Sequence, residues 1–161
     1  LSGLTTNIFN IMILTAHQPV FLPWLGLFHK INIADEFCLF DIAQYQKKDY
    51  NNRNKIKTQA GEQWLSVPVE SKNHFDKKIC DIKIINNGWN RKQCKSIYMA
   101  YQKSPYLDLY YGPLEEILLK KQHAFLTDLN LELLKYFLKY RISNKNKISV
   151  LRHHFQSCYT L

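Results

Sequence analysis

Met12-Ile13-Leu14-Thr15-Ala16-His17-Gln18-Pro19-Val20-Phe21-Leu22-Pro23-Trp24-Leu25-Gly26-Leu27-Phe28-His29-Lys30-Ile31, with Ala34-Asp35 and Phe37-Cys38-Leu39-Phe40-Asp41 after it, sets the fold class. Met12 to Thr15 is short and apolar and predicts a buried strand. Pro19 disfavours helix at Gln18 and keeps the chain extended there. Pro23 is tolerated in a first helical turn, and Trp24, Leu27, Phe28 and Ile31 then recur along one helical face. Ala34-Asp35 closes that helix, and Phe37 to Phe40 reads as a second strand ending at Asp41. A strand–helix–strand unit of about thirty residues favours a parallel pair with a right-handed crossover. The expectation is an α/β domain, a parallel or mixed sheet in a three-layer, Rossmann-like arrangement, incomplete at the C-terminus.

Further along, Gln63 to Val69 alternates and predicts a strand, with Pro68 marking its edge or end. Ile79 to Ile84 alternates strictly and predicts another strand. Asn86-Asn87-Gly88 signals a turn, and Trp89 to Tyr101 reads as helix. Residues 107–123 read as helix in two pieces, because Gly112-Pro113 should force a break. Residues 124–140 carry Leu126, Leu129, Leu133, Leu134, Phe137 and Leu138 at helical spacing. The segment from Gln44 to Thr58 is polar and dense in Lys, Asn and Gln.

With 161 residues the chain suits one domain, and 46% apolar content excludes disorder along its whole length. No apolar run approaches the ~20 residues of a membrane span. No Lys or Arg precedes the apolar first residues, as a signal peptide requires, so a cytoplasmic location is expected. The four cysteines form no C-x-x-C pair, which argues against a zinc or redox motif and leaves the cofactor unspecified. The formal charge of +9 favours anionic partners, although Lys- and Asn-rich codon usage gives the same surplus. Met12 reads as a natural start, making residues 1–11 an upstream extension. Residues 141–161 read as an atypical basic tail without acidic residues, either a nucleic-acid arm or out-of-frame sequence. The domain itself is expected over 12–140.

Three stretches are more polar than a core requires. His17 and Gln18 stand at the C-terminal end of the first strand, where open α/β sheets bind ligands. Histidine is suited to proton transfer near neutral pH, or to donating to an oxyanion. Asp41, with Gln44 after it, ends the second strand and would share the sheet edge with His17 if the strands are neighbours. There it would orient the imidazole, bind a hydroxyl, help hold a metal or only cap the next segment. Lys47 to Lys57 carries five basic residues against one acidic, with Asn51, Asn52 and Asn54 around Arg53. Arginine grips phosphate with two parallel hydrogen bonds, and lysine acts as a point charge. His74 and His123 read as surface residues, and the tyrosines between Tyr98 and Tyr111 as core and rim packing.

In this order, His17-Gln18-Pro19-x-x-Leu22-Pro23-Trp24-Leu25-Gly26, Phe28-x-Lys30-Ile31, Ala34-Asp35, Asp41-x-x-Gln44, Asn52-Arg53-Asn54-Lys55-Ile56-Lys57 and Trp64-Leu65-x-Val67-Pro68-Val69 resemble the WbqC-like family of bacterial surface-polysaccharide proteins. The resemblance implies a role in O-antigen synthesis, with transfer of an acyl or aminoacyl (glycyl) group to a nucleotide-activated amino sugar. It also implies a nucleotide-activated sugar, or another phosphorylated small molecule, as partner. Carried over residue by residue, it gives His17 and Asp41 as catalytic candidates. Gln18, Gln44, Asn52, Arg53, Asn54 and Lys57 become substrate-binding candidates, with no metal. Family members continue past the point where this chain turns basic, which implies C-terminal truncation. Two other readings stay open: a nucleic-acid-binding module using the basic Asn/Lys loop and tail, and an inactive truncated product.

Overall fold

The computed structural model describes residues 12–70, 72, 76–141, 149–151 and 158–160. Residues 1–11, His74 and the rest of the basic tail lie outside the described residues. The first strand, β1 (Leu14–His17), begins two residues later than its apolar run, and α1 (Leu25–Asn32) and β2 (Glu36–Leu39) come after it. β1 and β2 pair in parallel with Leu14 opposite Glu36 and His17 opposite Leu39. The expected strand–helix–strand unit is therefore present, but its first strand is not buried as expected: Ile13 and Leu14 are 50% and 61% exposed, because β1 pairs only with β2 among the described residues. α1 buries Leu27, Phe28 and Ile31, and its Lys30 ammonium reaches back to the Ala16 carbonyl at 2.7 Å. That bond fastens the helix end to β1.

A hairpin comes next, formed by β3 (Arg53–Thr58) and β4 (Gly61–Ser66), antiparallel with Arg53 opposite Ser66 and Lys55 opposite Trp64. Gly61 closes its turn at φ +112°, a region side-chain-bearing residues rarely adopt. Half of the hairpin was expected. β3 was not, because Arg53-Asn54-Lys55-Ile56-Lys57-Thr58 buries only Ile56 and turns its cations outward.

The strand expected over Ile79–Ile84 is not formed. A single 3-10 turn occupies Ile79–Asp81, with isolated bridges at Lys83 and Ile84 beyond it. Ile79, Ile82 and Ile84 are all buried. A spacing of three places Ile79 and Ile82 on one side of a 3-10 turn, and a spacing of two suits the extended residues after it. Three helices complete the described core: α2 (Trp89–Tyr101), α3 (Leu107–Leu119) and α4 (Leu126–Arg141). α3 runs through Pro113 without the expected break. It gives up one N–H donor there, while Leu114, Ile117 and Leu118 anchor it in the core. Beyond α4, β5 (Ser149–Leu151) and β6 (Cys158–Thr160) pair antiparallel, and β5 lies beside β2.

The chain is thus mixed α/β, with a small parallel sheet, small antiparallel ones and four helices among the described residues. Two apolar clusters hold it together. Phe21, Val67, Ile82, Leu126, Leu129 and Leu133 belong to one, and Val20, Leu27, Ile31, Phe37, Leu134 and Leu138 to the other. α4 feeds both, and the adjacent Val20 and Phe21 diverge into them. The loop after β1 is pinned by burial on both sides. No helix among the described residues is long and apolar enough to cross a membrane.

Candidate functional site

His17 is the last residue of β1, and its Nδ1 lies 2.8 Å from the Gln18 carbonyl oxygen. A carbonyl only accepts, so Nδ1 carries a proton and Nε2 of the neutral ring is left as the base. The imidazole meets Trp24 edge to face, with centroids 5.5 Å apart. The two rings border a cleft of about 450 Å³ that Gln18, Asp49, Tyr50 and Asn51 also line.

Irregular backbone forms this cleft, and asparagine side chains fix it. The Asn51 amide donates to the Pro19 carbonyl at 2.8 Å, and the Asn54 amide donates to the Leu22 carbonyl at 2.7 Å. Phe21 N–H donates to the Tyr50 carbonyl at 3.0 Å. Leu22 sits at φ +49°, immediately before a proline, a conformation a branched side chain adopts only when its surroundings enforce it. The Asn54 clamp is part of that enforcement. From the other side, Asn130 on α4 donates to the Asn51 carbonyl at 2.8 Å. Asn52 holds the hairpin's exit, donating to the Val67 carbonyl at 2.9 Å while Val67 N–H returns a bond to the Asn52 carbonyl at 2.7 Å.

Asn51 is only 2% exposed, and its Oδ1 has no hydrogen-bond partner among the described residues. A buried acceptor left unmatched costs on the order of 1–3 kcal/mol, and this one belongs to a residue in the wall of the cleft.

An exposed aromatic ladder leads away from the cleft. Trp24 stacks toward Tyr50 at 5.7 Å and Tyr50 toward Trp64 at 6.0 Å. These rings are 41%, 43% and 43% exposed, so each presents a face to solvent. The Arg53 guanidinium lies 4.3 Å and the Lys55 ammonium 5.1 Å from the Trp64 ring centre. Strand alternation puts Arg53, Lys55 and Lys57 on one face of β3, and Lys55 also pairs with Glu62. One Arg53 amino group donates to the Lys48 carbonyl, while its Nε has no hydrogen-bond partner among the described residues.

The residues singled out in the sequence divide into groups. His17 and Gln18 line the cleft. The Asn52 and Asn54 amides bond to backbone beside it, and Arg53 and Lys57 stand on the basic face of the hairpin. Asp41 is 2% exposed, and its carbonyl accepts Cys80 N–H at 3.0 Å. Burial first, then the charges of Asp41 and Asp81, push the Cys80 thiol up to about 11. Gln44 is exposed and bridged to Lys78. Neither Asp41 nor Gln44 lines the His17 cleft. His123, expected at the surface, is partly buried against Glu132. Sequence reasoning passed over Asn51, Trp24 and Tyr50 as site residues, although the Asn-Asn-Arg-Asn run was a signal for the first.

These features define an α/β protein with a histidine-bearing cleft at the C-terminal end of a parallel strand. The chain belongs to the WbqC-like protein family, whose model matches residues 18–151. A Mycobacterium tuberculosis protein named "Uncharacterized protein Rv1507c" is 36% identical over 123 residues, covering 76% of this chain and 53% of that protein. The chain spans about half the length of this relative. No solved structure matches it.

Proposed function

We propose that the chain serves bacterial surface-polysaccharide (O-antigen) synthesis in the cytoplasm, acylating or aminoacylating a nucleotide-activated amino sugar. The amino nitrogen of the sugar attacks the carbonyl carbon of an activated acyl donor, and a new C–N bond forms. His17 Nε2 takes the amine proton, and the donor's leaving group departs from the same carbon with its electron pair. The imidazolium then returns the proton to that group. Gln18 and Asn51 meet sugar hydroxyls, and Arg53 and Lys57 meet the diphosphate. Asn52 and Asn54 act by holding the loop. Asp41 is the second proton-transfer candidate on the same sheet edge, and Gln44 is a more distant substrate contact. The exposed edge of β1 is read as part of a larger three-layer, Rossmann-like sheet in the longer relatives.

One observation carries this reading: a histidine with its tautomer fixed shares a cleft with a buried asparagine whose carbonyl oxygen has no hydrogen-bond partner among the described residues. A second reading rests on the ladder of exposed rings beside cations, which also suits single-stranded nucleic acid. Thermal unfolding with nucleotide-activated amino sugars, and with single-stranded RNA, separates the two. A ligand that binds only the folded state raises the midpoint. Sugar nucleotides should raise it, and His17→Ala should keep that shift while losing turnover. Stabilisation by RNA alone, fading steeply with salt, would replace the sugar reading with the nucleic-acid one.

A further inference from the structure

A second cleft of about 500 Å³ lies between β3, the C-terminal parts of α2 and α4 and the N-terminal part of α3. Its size falls within the ~300–1,000 Å³ of small-molecule pockets. Tyr101, Tyr106, Tyr110 and Tyr140 line it and are 39%, 64%, 40% and 38% exposed. Tyr111 and Tyr136 form its inner wall instead. The Tyr111 hydroxyl lies 2.9 Å from Glu115, and the Tyr136 hydroxyl donates to the Tyr110 carbonyl at 2.6 Å. Rings meet edge to face, Tyr110 with Tyr140 and Tyr136 with Tyr140, each pair 5.2 Å between centroids. Each edge-to-face pair occupies one face of one ring and leaves the others open to a flat guest.

The chemistry of the lining selects among guests. A pyranose carries several hydroxyls, each of which needs a partner once buried. Among the described residues its lining holds no side-chain amide or carboxylate, and its polar side chains are Ser104, Lys55 and the tyrosines. A planar heteroaromatic ring needs faces more than partners, and tyrosine provides them. Lys55 connects the two clefts. It lines the tyrosine cleft, and its ammonium lies over Trp64, the last ring of the ladder that starts at His17. Arg53 shares that ring.

We propose that the tyrosine cleft is a nucleobase pocket. The base stacks among Tyr106, Tyr110 and Tyr140, and the diphosphate crosses the face of β3 that carries Lys55 with Arg53 and Lys57. The sugar then reaches the amide-lined cleft at His17. This inference rests on the nucleotide-sugar reading above and gives it a direction along the molecule.

The test is calorimetric binding of the four common nucleoside diphosphates, with inorganic pyrophosphate as the base-free probe, to the full chain and to Tyr106→Ala/Tyr110→Ala. Tyr106 is largely exposed, and the Tyr110 group that accepts from Tyr136 is backbone, so this variant keeps the wall. At least one nucleoside diphosphate should bind, and the variant should weaken it about 5- to 150-fold, the range of base–aromatic stacking. Pyrophosphate affinity should stay the same. Equal weakening of pyrophosphate, an unchanged nucleotide affinity or no nucleotide binding overturns the base pocket. The His17 imidazole resonances read the other proposal separately. A nucleotide sugar that shifts them while binding the variant at full strength would sink the base pocket and keep the sugar reading. Tyrosine-dependent binding of a nucleoside diphosphate, with those resonances unmoved by any nucleotide sugar, would keep the pocket and sink that reading.

Discussion

The tyrosine cleft borders the β3–β4 hairpin and the His17 cleft borders the segment that leads into it, yet they are built by opposite means. The His17 cleft is walled mainly by loops, and side-chain amides hold its backbone in place through Pro19, Leu22 and Asn51. Helix surfaces wall most of the tyrosine cleft, and its shape comes from packing in regular elements. Loop-built sites place polar atoms freely but need dedicated hydrogen bonds to stay rigid. Helix-built ones inherit rigidity from the core and present mostly aromatic area.

Mutations and pH put that contrast at risk. The largest effect concerns His17→Ala, which should lower kcat about 10²- to 10⁴-fold, the range of positioned acid–base catalysis, with an unchanged unfolding midpoint. Tyr106→Ala/Tyr110→Ala should raise KM and leave kcat nearly intact. Steady-state kinetics on one nucleotide sugar would separate the two clefts, and matching effects on kcat would merge them.

Next is Leu133→Ala. Leu133 is fully buried in the cluster that carries the helices, and removing it should cost about 2–5 kcal/mol in urea unfolding. Asn54→Ala should cost less, about 1–3 kcal/mol, because it strips the clamp from a partly buried carbonyl at the strained Leu22. Its activity should nevertheless fall more than that of Leu133→Ala in native conditions. An Asn54→Ala enzyme with full activity would show that the loop needs no clamp.

The smallest effect is in the pH profile. Cys94 is pushed up to about 11 by burial and then by the Glu115 charge, and Cys80 to a similar value. A raised folded value means stability fully present below the ordinary 9.0 and lost as pH rises through about 11. Cys94→Ala should flatten that alkaline limb, and the thiols should alkylate slowly at pH 8. Burial alone would raise the Glu132 carboxyl, but Lys121 and His123 overrule it and hold it lower. Its stabilisation is present above the ordinary 4.5 and is lost as pH falls through the lower folded value, so Glu132→Gln should flatten the acid limb.

The same contrast explains which parts of the molecule are legible in the sequence. β1, α1 and β2 are legible because apolar spacing changes from strand to helix and back within one short stretch. The helices from Trp89 on are legible for the same reason, apart from the uninterrupted passage through Pro113, where neighbouring burial outweighs one lost donor. β3 is hidden because a strand with a basic solvent face and one buried isoleucine has no apolar period. Ile79 to Ile84 misleads because isoleucines two and three apart satisfy both an alternating and a 3-10 geometry. At the site, His17 and Gln18 are visible from their position after a strand. Asn51 is not, since its role depends on Pro19 and Asn130, contacts made across 32 and 79 residues of chain. The tyrosine cleft is hidden in the same way, because residues from three helices and β3 meet only in the folded chain.

A crystal structure of this chain with a nucleotide-activated amino sugar bound bears most directly on the proposed chemistry. The sugar nitrogen should lie within ~2.6–3.2 Å of His17 Nε2, with Asn51 Oδ1 accepting from the sugar. A bound sugar whose nitrogen lies away from His17, with Asn51 Oδ1 still unmatched, would contradict it.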